Sequence, residues 1–169
     1  MNIFYLHHHP KICAIYHNNR HIVKMTLEST LLLYTCLHLT CPEEIFDSAP
    51  FNKSGTRRGY KPSHQNHPSA IWTRTSIHNY KWLCQLGIEL CKEYTFRYNK
   101  IHSCEKHLLW LTRQQPPLPE IPFSQPIPAM PDKYKNSNSI IAYRNYYKGE
   151  KSSFCIWSKR KIPYWFSSS

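Results

Sequence analysis

The chain has 169 residues, with 22 Lys and Arg against 10 Asp and Glu, a formal charge of +12 before any of its 11 histidines is counted. That length suits one domain, and only four glycines argue against a doubly wound nucleotide-binding fold, which relies on glycine at its phosphate turn. The cationic surplus points to a polyanionic partner, because each phosphate neutralised by Lys or Arg releases a condensed counterion.

Residues 2–6, "NIFYL", are a short apolar stretch that fits one strand or an extended buried tail. Pro10 suits the first turn of a helix over residues 10–18. A stronger helix runs from Arg20 to His38, where Ile22, Val23, Leu27, Thr30, Leu33, Tyr34 and Leu37 share one broad face. Residues 40–66 read as a long, mobile basic loop; "KSGTRRGYKPSH" within it carries Arg57 and Arg58. Pro68 then suits a helical first turn capped by Asn66 or His67, with a break near Ser76–Asn79. Beyond it Leu83, Gly87, Leu90, Cys91, Tyr94 and Tyr98 keep helical spacing, and Glu93 and Arg97 stand four apart as an ion pair.

Ser103 is expected to cap a shorter helix through Thr112. Residues 113–137, with "QQPPLPEIPFSQPIPAMP", are too rich in proline for a helix and should cross the surface as extended chain. Asn138 or Ser139 starts a last helix carrying Ile140, Tyr143 and Tyr147, loosened at Gly149, with Phe154 and Trp157 beyond. The ending "KIPYWFSSS" is read as extended, docking Tyr164, Trp165 and Phe166. The expected fold is mainly α: a compact single-domain helical bundle over residues 1–169 with about five helices, a long basic loop and a proline-rich surface segment.

Seven cysteines, an odd number with no C-x-x-C, favour a reducing compartment, and Cys84 and Cys91 on one helical face read as core thiols. No apolar run reaches membrane-spanning length, and "MNIFYLHHHP" lacks the cationic start and apolar core of a signal peptide. An intracellular, unsecreted protein with no membrane partner is expected. Gly-rich phosphate loops, G-x-S-x-G and paired zinc-ligand cysteines are missing, so neither a cofactor nor a metal is expected.

Three groups of residues carry candidate chemistry. In "YHNNRHIVKMTLE", His17, His21, Lys24 and Glu28 fall on one narrow stripe opposite the apolar face. A carboxylate beside imidazoles and a cation suits acid–base work; a solvated face with ordinary ion pairs is the competing reading. His17 and His21 also have the spacing of zinc-binding helices, without a third ligand. In "HPSAIWTRTSIHNYKW", His67, Arg74, His78 and Lys81 form a cationic stripe, with Trp72, Tyr80 and Trp82 beside it for stacking or core. In "AYRNYYKGEKSSFCIWSKRK", Tyr143, Arg144, Tyr146, Tyr147, Lys148 and Lys151 alternate rings and cations, as phosphate contact with base stacking would require, or as a basic helix with a buried side.

At these residues the chain resembles known sequences. "MNIFYL…YHNNRHIVKMTLES", "YKPSHQNHPSAIWTR…NYKWLCQLGIELCKEYTFRY" and "AMPDKYK…AYRNYYKGEKSSFCIW" resemble a family of small, mostly uncharacterised proteins of phages, large DNA viruses and some bacteria. "RHIVKMTLE" is also similar to the first long helix of phage pyrimidine-dimer DNA glycosylases, small all-α repair enzymes. The second resemblance implies a catalytic glutamate at Glu28, a histidine seven residues earlier at His21, and an N-terminal amine that attacks the sugar carbon to give an imine. Asn2 is bulky enough for Met1 to be retained, which places that amine on Met1. Leu27 stands where the glycosylases have a basic residue, and His9-Pro10 where they have Asp-Pro.

The expectation is therefore a DNA-binding protein, DNA being favoured over RNA, and within that class a base-excision glycosylase and lyase acting on damaged or modified bases. Glu28, His21 and Met1 would form its catalytic group, with host cytoplasm or nucleus as its location. Lys24, Arg57, Arg58, His67, Arg74, His78, Arg144, Lys148 and Lys151 would hold the nucleic acid. The alternatives are a non-catalytic nucleic-acid-binding viral accessory protein and a metal-dependent enzyme built on His17 and His21.

Overall fold

Two 22-residue helices lie against each other at the centre of the molecule, whose residues 1–167 are described by a computed structural model. Helix α2, Asn19–Thr40, begins where the Asn18 side chain accepts the His21 amide. Helix α4, Ile77–Tyr98, begins where Ser76 accepts the His78 amide, and ends on Asn99 in the left-handed region, which asparagine tolerates better than most residues. Helix α1, Pro10–Tyr16, packs on α4; α3, Pro68–Thr75, packs on both long helices; and α5, Glu105–Leu111, also touches both. Helix α6, Ser139–Tyr146, continues into a π turn, Tyr147–Lys151, and α7 is a single turn, Tyr164–Ser167. Among the described residues there is no strand, only an isolated bridge between Phe51 and Arg58, and no helix is long and apolar enough to cross a membrane.

The chain is thus mainly helical and a single domain, with seven α-helical segments among the described residues instead of about five. One extra comes from Ser76, whose extended backbone (φ −149°, ψ 144°) separates α3 from α4. Its hydroxyl donates to the Ile121 carbonyl while accepting the next helix's first free amide, the local competition by which serine ends one helix and starts another. The other is α7: the described part of "KIPYWFSSS" is a helical turn, with Trp165 buried and Tyr164 exposed, so Tyr164 does not dock as expected. Ser168 and Ser169 lie outside the described residues. Helix α5 is capped at Cys104, not Ser103, and the Cys104 amide donates to His102 Nδ1.

The N-terminal tail is extended and buried: Ile3, Phe4, Tyr5 and Leu6 all belong to the core. It lies over the side of α2 that carries His21 and Met25. That side is therefore buried, while Val23 and Leu27, expected in the core, are 42% and 39% exposed. The polar stripe of α2 is not wholly solvated opposite the buried face; the tail and α6 cover His21 and most of Glu28 and leave Lys24 exposed.

Residues 41–67 are fastened to α2. Thr35 and Ser63 exchange two hydrogen bonds, His38 Nε2 meets the Tyr60 carbonyl at 2.9 Å, and Gly59, at φ +63°, lies so close to the Tyr34 ring that a Cβ would strike it. The proline-rich segment crosses the α3–α4 junction as extended chain. Its Ser124 exchanges hydrogen bonds with Asn79 and accepts from Trp72 Nε1, and its Ala129 carbonyl accepts from the Asn2 side chain. The expected pair of Glu93 and Arg97 is present at 2.8 Å and buried; Arg160 adds a two-pronged contact, and Arg97 also holds the Ile15 and His17 carbonyls at the end of α1.

Candidate functional site

Glu28 sits midway along α2, under the N-terminal tail. Its Oε2 accepts the Asn2 backbone amide at 2.8 Å, and its Oε1 lies 3.6 Å from Lys24 Nζ. The carboxylate is largely covered, its side chain 12% exposed, whereas Lys24 is 67% exposed. Both line a cavity of about 180 Å³ with Met1, Asn2, Phe4, His21, Met25, Tyr146 and Lys151. The α-amine of Met1 and the Glu28 carboxylate both act on His67, which caps α3. Burial first, then that amine, holds His67 below the usual imidazole range, and Glu28 partly opposes the shift.

Asn2 is fixed on every side. Its Oδ1 accepts from the Tyr143 hydroxyl at 2.6 Å and from the Ile3 amide, its Nδ2 donates to Ala129, and its backbone amide is on Glu28. Tyr143 is fully buried, and its single hydroxyl proton also has the Ile127 carbonyl within reach at 3.0 Å, farther than Asn2 Oδ1. Three elements thereby register the start of the chain against one carboxylate: α2, α6 and the proline-rich segment.

His21 is 5% exposed and packs on Phe4, with ring centroids 4.3 Å apart. Its Nδ1 lies 2.7 Å from the Tyr147 hydroxyl. Burial, with His17, Lys151 and Lys24 adding repulsion, lowers its pKa to about 2, so its ring is neutral. A group that stays neutral can orient a substrate by hydrogen bonding, but it cannot exchange a proton near neutral pH. His17 is not on this cavity: it is fully buried with Nδ1 on the Cys13 carbonyl. His17 and His21 have ring centroids 6.4 Å apart and turn to different partners, and among the described residues no three His, Cys, Asp or Glu side chains converge as metal ligands. The zinc alternative lacks its geometry.

Of the nine residues expected on nucleic acid, Lys24 and Lys151 line the cavity and His67 is its electrostatic neighbour. The others are not brought to it. Arg58 donates to the Ala49 carbonyl and covers the Phe51 ring, and Arg57 is half-buried in the same turn. Arg74 donates to the Gln65 carbonyl. Exposed His78 lies beyond the Ser76 break, which divides the expected cationic stripe between two helices. Arg144 donates to the Leu6 carbonyl amid Tyr16, Tyr164 and Trp165, so it holds the tail in place. Lys148 is half-buried in the π turn.

The rings are also mostly core. Trp72, Tyr80, Tyr143 and Tyr147 are buried, and half-buried Trp82 packs edge-on against Trp72 and Tyr5. Of the aromatic rings expected beside the cations, Tyr146 reaches the cavity, stacked parallel to Phe4 and beneath Lys151 Nζ.

Sequence reasoning missed Asn2, Tyr143 and Tyr147 as members of this site. The signal available was chemical: a tyrosine at a core position needs a partner for its hydroxyl, and here both partners belong to the cavity. Compared with protein-family models, curated proteins and solved structures, the chain matches none of them.

Proposed function

We propose that the Glu28 cavity is a DNA-processing site, and that the protein is a base-excision glycosylase with lyase activity. One observation carries the reading: the backbone nitrogen of residue 2 lies 2.8 Å from a largely covered carboxylate, beside two lysines. An amine at this end of the chain could attack the sugar carbon of a damaged nucleotide. The carbon–nitrogen bond to the base breaks and the base leaves with one amine proton; the bond from that carbon to the sugar ring oxygen then opens, the oxygen takes the second amine proton, and an imine remains. Glu28 would shuttle those protons. Lys24 and Lys151 would hold the flanking phosphates, and the damaged nucleotide would have to leave the base stack to enter.

A second reading, a nucleic-acid-binding accessory protein without catalysis, is favoured by one feature. With Met1 attached, the nitrogen on Glu28 is a peptide N–H, which is not a nucleophile. Borohydride trapping on ultraviolet-irradiated and abasic DNA separates the two, using one protein that begins at Met1 and one released from a fusion cut immediately before Asn2. A covalent adduct with either chain supports the lyase, and the chain that gives it identifies the amine. Retained DNA binding with no adduct from either chain supports the accessory protein.

A further inference from the structure

A buried polar relay ends on the same cavity. Tyr147 is fully buried; its oxygen accepts the Asn18 amide at 3.3 Å and lies 2.7 Å from His21 Nδ1. A hydroxyl has one proton to donate. Among the described residues, His21 Nδ1 is the acceptor within hydrogen-bond reach of it. A proton on Nδ1 would leave the tyrosine proton stranded in a dry core, an arrangement native structures rarely contain. Nδ1 is therefore the acceptor, and the neutral imidazole carries its proton on Nε2. Phe4 across the ring face and Phe154 at its edge hold the ring in place.

Because His21 lines the cavity while its Nδ1 is turned inward, we infer that its Nε2–H, held in that tautomer by Tyr147, is a fixed neutral donor to a phosphate oxygen. Lys24 and Lys151, which line the same cavity, supply the charge. Lys151 and Tyr147 are the two ends of the π turn, a helix irregularity that recurs at functional sites. Gly149 lies between them, where a Cβ would collide with the Tyr134 hydroxyl. Tyr147 is a positioning residue: it acts on the ligand only through His21. The inference rests on the DNA reading only for what carries the phosphate; the donor geometry does not involve the amine.

The test uses the whole chain with ¹⁵N-labelled histidine. Nuclear magnetic resonance should show His21 protonated on Nε2 in the free protein, and its Nε2–H should shift on titration with inorganic phosphate. Tyr147→Phe should release the tautomer and weaken phosphate by about tenfold, as expected for one hydrogen bond to a charged group. His21→Gln, which keeps an N–H near the Nε2 position, should stay within about threefold of wild type, while His21→Ala should lose about tenfold. If Tyr147→Phe fails to fold, the wild-type tautomer and the Gln–Ala pair still decide. A short duplex with an abasic-site analogue binding more tightly than phosphate would identify a DNA backbone as the source, and equal affinity a free phosphate. His21 protonated on Nδ1, or an Nε2–H unmoved by either probe, would overturn the inference. A failed borohydride trap with this donor intact removes the lyase alone.

Discussion

Two glutamates in this molecule sit beside cations and do different things. Glu93, on α4, is 4% exposed and is met by Arg97 at one oxygen and by Arg160 at both. Glu28, on α2, has one backbone amide at 2.8 Å and a lysine at the longer distance of 3.6 Å, and it opens on a cavity. Burial pushes the Glu93 carboxyl up, but hydrogen bonds from Arg160 and Arg97 outweigh it and hold it below the usual carboxylate range. A carboxylate whose lone pairs are occupied by fixed guanidinium groups has no capacity left for a substrate proton. The contrast separates structure from chemistry better than charge does: both sites have cations, and only one has an unfilled position.

The sharpest way to break that contrast is to neutralise each carboxylate in turn. Glu28→Gln should abolish borohydride-trapped adduct, by at least about 100-fold if Glu28 carries protons, while melting within a few degrees of wild type. Gel assays of trapping at matched DNA occupancy read the first effect, and a thermal melt the second. Glu93→Gln should do the reverse. It leaves Arg97 buried without its partner, a loss of about 3–5 kcal/mol, which lowers the melting temperature on the order of 10 °C for a chain of this size. Should Glu28→Gln melt as early as Glu93→Gln, Glu28 would be another structural ion-pair residue and the site reading would fail.

Which of these was legible beforehand follows from range. The Glu93–Arg97 pair is four residues apart on one helix and was readable from spacing alone. So were the long helices, the break at Ser76 and the extended proline segment, because their signals are local. The stripe of His21, Lys24 and Glu28 was also visible, but not that His21 and Glu28 would be covered. That depends on residues 2–6 and Tyr143, which lie far away in sequence and act through the tail's path across α2. For the same reason periodicity alone puts Val23 and Leu27 on the core face, where they are in fact exposed, and composition alone offers Arg58 and Arg144 to a ligand, where each in fact holds a backbone carbonyl. A guanidinium is equally suited to phosphate and to a buried carbonyl, and sequence does not distinguish the two uses.

Acid tests the two regions together, since histidines are buried on both sides of α2. His17 and His107 are fully buried, and burial lowers each to about 4; His21 falls to about 2 for the reasons given above. Their folded pKa values lie below the unfolded value near 6.5, so the unfolded chain binds more protons in that window. The stability they contribute is fully present above the unfolded pKa and is lost as pH falls below it toward the folded values. Each should give up about 1 kcal/mol between pH 6.5 and 5.5, about 3 kcal/mol in all. Glu93, held below its unfolded value, adds a further loss only beneath about pH 4.5. Urea midpoints across pH 7.5–4.5 should therefore begin to fall near 6.5, and a midpoint flat to pH 5 would mean that these histidines are solvated.

The smallest expected effect bears on what distinguishes Glu28 most closely, the fixing of residue 2. Tyr143→Phe keeps the ring in the core and removes the hydroxyl that holds Asn2 Oδ1 and the Ile127 carbonyl. The stability cost should be about 1–2 kcal/mol, that of an unsatisfied buried acceptor. If the tyrosine serves only the fold, trapping at saturating DNA should be unchanged. If it registers the start of the chain on Glu28, the adduct should form several-fold more slowly at saturation with DNA affinity unaltered, because a displacement of about 1 Å from attack geometry slows a reaction without weakening binding. Asn2→Ala should show the same kinetic signature through the other partner of the same hydrogen bond, and the double variant should be no slower than either single one. Additive slowing would mean that the two side chains act independently and that the tail is held by its apolar residues instead.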